Sequence, residues 1–175
     1  MPHLAAAYPS TRVVYGKVAL VASDGRVLEI CGQPWQRARG PFLQGLPAWG
    51  VPHQGVLHHR SIFQESGLFD ESFRIAGDFE LQLRTLRDSD PLFVPNVIMA
   101  GMEYGGISTN AQNALEILRE VVRARKMNNV QGVPLLWYWE YAKAKARDCL
   151  ARTAGDWVAQ QATNLYRRLT GRQSI

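Results

Sequence analysis

The chain has 175 residues, 46% hydrophobic, 20% charged and 10% aromatic, which suits one globular domain with a real core. Its fifteen glycines and nine prolines follow no period, and its two cysteines are too few for a disulfide scaffold or a four-cysteine zinc site. The net charge of +5 is one-sided: residues 1–108 carry nine Lys and Arg against ten Asp and Glu, residues 109–175 eleven against five, unlike a uniformly basic nucleic-acid binder.

Met1–Ala7 has no basic stretch, so no signal peptide is predicted. No apolar run reaches the roughly 20 residues that span a bilayer. Arg12–Ala22 (RVVYGKVALVA) predicts a strand, Asp24-Gly25 a hairpin turn, and Val27–Cys31 the returning strand. Residues 33–52, with four prolines and two tryptophans, predict a long irregular loop. Gln54–His58 predicts a short strand, and Arg60–Ser66 a short helix that Gly67 ends. Phe79, Leu83 and Leu86 recur at helical spacing in Asp78–Arg87, with Asp78 at the anion-favouring N-terminus. Leu92–Met99 (LFVPNVIM) predicts a buried strand that Pro95 restricts to an edge or a bulge. Helices are predicted over Asn110–Met127, Leu135–Arg152 and Asp156–Leu169, the last two parting near Thr153-Ala154-Gly155. Cys31 and Cys149 are expected as buried, reduced thiols of a cytosolic protein.

Chemistry-bearing side chains crowd into Pro52–Arg84, which holds three of the four histidines. His58 and His59 are adjacent, so on a strand they point to opposite faces, one packed and one solvated. His53 ends the predicted loop. Asp78 follows Gly77, a residue that admits close approach, and either caps its helix or serves as a general base.

The order of several short motifs carries a resemblance. Val14-Tyr15-Gly16-Lys17, Asp24-Gly25-Arg26, Pro52-His53-Gln54 and Arg60-Ser61-Ile62-Phe63 come first. Gly67-Leu68-Phe69-Asp70-Glu71-Ser72-Phe73, Ile75-Ala76-Gly77-Asp78-Phe79-Glu80-Leu81 with Arg84, and Gly105-Gly106-Ile107-Ser108 complete the set. Together they resemble the acceptor-side half of family 2 glycosyltransferases, inverting enzymes of the GT-A fold, over a little more than half the chain. The resemblance implies an α/β fold, a partial GT-A-type mixed sheet with a hairpin and flanking helices over 1–108, while the charge split and helical spacing predict a basic helical extension over 109–175. It implies that Asp78 is the general base, that His53, Gln54 and Arg84 line the acceptor side, and that Gly105, Gly106 and Ser108 form a closing loop.

In the complete enzyme the resemblance implies a nucleotide-sugar donor, a sugar or lipid-linked acceptor of the kind found in cell-surface polysaccharide, and a divalent metal, Mg or Mn. The nucleotide-binding half with its metal-holding Asp motif has no counterpart here, so the chain is expected to be a fragment without cofactor or metal of its own. Asp88-Ser89-Asp90 lies after the catalytic helix, in the wrong order for that motif, and reads as a turn before Pro91. The Gln-x-x-Arg-Trp motif of processive members is absent. A second expectation is a non-catalytic interaction or assembly module: homo-oligomeric, or bound at the inner face of a membrane through Leu135–Tyr141 and the basic residues after it. No nucleic-acid partner is expected.

Overall fold

The computed structural model describes residues 11–45, 51–103 and 111–169. Strand β1 (Val13–Val21) is the centre of a mixed four-stranded sheet. It pairs antiparallel with β2 (Val27–Cys31), Val18 opposite Cys31, and with β3 (Val56–His58), Val13 opposite His58. Its other neighbour, β4 (Leu92–Glu103), runs parallel from Val14–Leu92 to Val21–Glu103. The first hairpin closes as the sequence predicts: Gly25 takes φ +82°, and its N–H donates to the Ala22 carbonyl at 2.9 Å.

Pro95 leaves the expected mark on β4. The register jumps from Gly16–Val94 to Lys17–Ile98, so the strand bulges where the proline has no N–H to give the ladder. β4 also runs on to Glu103, beyond the expected end at Met99, and none of its residues is buried, against the expected buried strand.

The predicted loop at 33–52 is corrected by a helix, α1 (Trp35–Leu43). Trp35, Ala38 and Phe42 fall on one face and are all buried, with Trp35 and Phe42 rings edge to face at 5.6 Å. Burying two such rings stabilises by about 2 kcal/mol each, which offsets the hydrogen bond that Pro41 removes inside the helix. Trp35 also donates its indole N–H to Asp90 at 2.5 Å.

Short helix α2 (Ser61–Ser66) ends at Gly67 as expected. Helix α3 (Gly77–Leu86) buries Leu81, Leu83 and Leu86 completely, and Leu83 and Leu86 join Val13, Tyr15, Trp35 and Phe42 in the core. Helix α4 (Ala114–Met127) follows a 3-10 turn at Ala111–Asn113 and buries Leu118, Val121, Ala124 and Arg125. Helices α5 (Leu135–Ala154) and α6 (Asp156–Leu169) part at Gly155 and pack on each other as a hairpin. No residue of α5 is buried. Cys149 therefore stands exposed, against expectation, whereas Cys31 is buried as expected and its thiol is pushed up to about 11 by burial and then by Glu29. Among the described residues no helix is long and apolar enough to cross a membrane.

Candidate active site

Three pieces of chain bring chemistry to one place beside the sheet. The first is a 3-10 turn, His53–Gly55, pressed onto β1. A Cβ at Gly55 would stand 2.9 Å from Val18 Cγ2 and 3.2 Å from the Gly16 carbonyl, so only glycine lets the turn sit this low. That approach fixes where the His53 ring stands. The second piece is the first turn of α3, with Asp78 near its start and Gln82 one turn on, on the same side of the helix. The third is the segment after α2, where the Phe69 ring lies 6.3 Å from His53, edge to face.

His53 Nδ1 is 4.0 Å from Asp78 Oδ2 and 3.4 Å from Gln82 Nε2. The other Asp78 oxygen accepts the Phe79 N–H at 2.7 Å, which orients the carboxylate. Asp78 does not cap its helix; that position is Ala76, and no side chain caps it. Gly77 is not required for close approach, since a Cβ there would meet Phe73 Cβ at an ordinary 3.5 Å. His53 and Asp78 each keep a little over a third of the side chain exposed, whereas Gln82 is buried.

Behind this face lies a buried polar knot. Glu80 is 3% exposed. Its carboxylate accepts Arg84 Nε at 3.0 Å, Arg84 Nη2 at 2.8 Å and Asn128 Nδ2 at 3.1 Å. Arg84 also donates to the carbonyls of Ser66 and Leu68, the latter at 2.9 Å. Arg84 thus works inside the protein, tying the segment that carries Phe69 to α3. Gln54 is exposed on the turn next to His53. Gly105, Gly106 and Ser108 lie outside the described residues.

His58 and His59 divide as predicted. His58 packs against Phe63 at 5.8 Å, and burial, then the nearby His53, lower its pKa. His59 is exposed and meets the Ser61 hydroxyl at 2.9 Å. Phe63 in turn stands 6.4 Å from Phe69, so a string of rings runs from His58 to His53. The Asp-x-Asp sequence is spent locally: Asp88 pairs with Arg87 at 2.6 Å, and Asp90 accepts the Trp35 indole. Among the described residues no three His, Cys, Asp or Glu side chains converge as metal ligands.

No family model, curated protein or solved structure matches this chain. The site therefore rests on its own geometry. Gln82 and Phe69 are the members that reading the residues did not pick out. The spacing Asp78–Gln82 is visible in the sequence, but a glutamine among leucines carries no signal until His53 is seen beside it.

Proposed function

We propose that the chain supplies the acceptor side of an inverting sugar transferase, with Asp78 as general base. The observation that carries this reading is the Asp78 carboxylate: one oxygen is oriented by a backbone N–H, the other stands 4.0 Å from His53 Nδ1, and the side chain is 37% exposed. An acceptor hydroxyl within hydrogen-bond reach of that oxygen loses its proton to Asp78 as its oxygen attacks the anomeric carbon. The new C–O bond forms on one face while the bond to the nucleoside diphosphate breaks on the other, so configuration inverts. Phe69, 46% exposed, offers a ring against which the apolar face of a sugar can pack. Gln82 holds His53, and His53 borders the same space. The nucleotide-sugar donor belongs to a second half of the enzyme.

Titration of saccharide acceptors into isotope-labelled chain should move the resonances of His53, Phe69 and Gln82 together. In the enzyme completed by its donor-binding half, Asp78→Asn should lower kcat by roughly 10²- to 10⁴-fold, the usual worth of a general base, with donor affinity unchanged. Near-normal turnover would remove Asp78 from the base role.

A further inference from the structure

Seven of the fifteen large apolar side chains exposed among the described residues lie on α5 and α6: Leu135, Leu136, Tyr138, Trp139, Trp157, Leu165 and Tyr166. Such a hairpin does not hide its own apolar surface; among its described side chains Ala159 alone is buried. Trp137 shows how α5 is attached, with its indole N–H donating to the Leu118 carbonyl of α4 at 3.3 Å and its ring stacked on Tyr141 at 5.0 Å. Helical spacing turns Leu135, Leu136, Trp139 and Lys143 to a different side. There Lys143 Nζ stands 5.9 Å from the Trp139 ring and 5.3 Å from the Tyr166 ring of α6. Leu135 is 86% exposed and Trp139 55%. The result is an apolar, aromatic patch centred on an ammonium group.

Among the described side chains of the hairpin, the exposed charges are all cations. Lys145 and Arg152 are exposed. The acids Glu140 and Asp148 are only partly exposed and are held in pairs, Glu140 by Lys143 at 2.8 Å and Asp148 by Arg152 at 3.0 Å. Two copies of this face would set cation against cation, whereas an anionic surface complements it. Aromatic and leucine side chains flanked by Lys and Arg are the composition of a helix lying in a bilayer interface, where lysines extend to the headgroups and each cation near the surface adds to the attraction.

We infer that the α5–α6 hairpin docks on an anionic phospholipid bilayer, with Leu135, Leu136, Trp139 and Tyr166 entering the interface. This reading is independent of the site around Asp78.

The test uses the full chain with vesicles of phosphatidylglycerol and, separately, phosphatidylcholine. Binding is expected to phosphatidylglycerol at low salt and to be at least roughly tenfold weaker for phosphatidylcholine, for the Lys145→Glu/Arg152→Glu variant, or at high salt. Brominated phosphatidylglycerol should quench tryptophan emission, and Trp139→Phe, which keeps an aromatic ring, should remove much of that quenching with unchanged circular dichroism. No binding at low salt would overturn the proposal. So would equal binding to both lipids, full quenching in Trp139→Phe, or a solution dimer that Trp139→Glu converts to monomer.

Discussion

Helix α4 and the α5–α6 hairpin belong to the same basic third of the chain, yet they use their charges in opposite ways. α4 spends its charges inward. Glu120 accepts the N–H groups of Arg74, Ile75 and Ala76 at 2.7, 2.9 and 2.7 Å, so it satisfies the backbone leading into α3. Arg123 lies 4.3 Å over the Phe73 ring, and Arg125 donates to the Leu43 carbonyl at 3.1 Å. The hairpin's pairs Glu140–Lys143 and Asp148–Arg152 instead lie within α5, three or four residues apart, with Lys143 also 5.3 Å from the Tyr166 ring of α6. Net charge counts residues; what a charge does depends on whether its partner lies across a packing seam or one turn away. The compositional boundary at 108 therefore falls before a helix that is fastened to the body.

The buried knot should show the largest effect. Glu80→Ala leaves the Arg84 guanidinium and the Asn128 amide without their shared acceptor, and a broken buried pair of this kind costs about 3 to 5 kcal/mol. Urea unfolding should show that loss as a fall in midpoint. A fall as small as that of a surface pair would erase the distinction between seam and hairpin.

Glu120→Gln comes next, at about 2 kcal/mol for hydrogen bonds to a charged acceptor. Burial alone would raise the Glu120 pKa, but the N–H groups of Ala76, Arg74 and Ile75, with Arg123, hold it below the ordinary 4.5. The folded pKa is thus lower than the unfolded one. Its contribution is complete above about pH 4.5 and is lost as pH falls through the folded value. Stability measured against pH should decline less steeply on the acid side in Glu120→Gln; an unchanged slope would show that these hydrogen bonds are not coupled to folding.

How much of this was legible beforehand follows from the range of the forces. The Asp24-Gly25 hairpin, β2, the halt at Gly67 and the break at Gly155 depend on neighbours in sequence, and they stand where the residues place them. α1 was hidden because Pro34, Gly40 and Pro41 announce a loop locally, while the burial of Trp35 and Phe42 that outweighs them comes from a core shared with β1 and α3. His53 and Asp78 were each visible as reactive groups, 25 positions apart. Their meeting depends on how closely Gly55 lets its turn approach β1, which no local pattern encodes. Cys149 was misjudged for a related reason: small apolar residues on a helix signal burial only when something covers that face.

The smallest effect should come from the hairpin itself. Asp148 and Arg152 form an i,i+4 pair with the acid nearer the N-terminus, the favourable order, but Arg152 is 77% exposed and water competes for both ends. Asp148→Ala should therefore change the global unfolding midpoint by no more than the equivalent of about 0.5 kcal/mol. The same exposure predicts a local signature. With no residue of α5 buried, its amides should exchange with solvent by opening below the global unfolding free energy, while those of Leu81 and Leu83 in α3 exchange only with global unfolding. Phosphatidylglycerol vesicles should slow exchange along α5 and leave α3 unchanged. Equal protection of the two helices in free solution would mean that α5 is held by contacts as strong as those of the seam, and the division between them would fall.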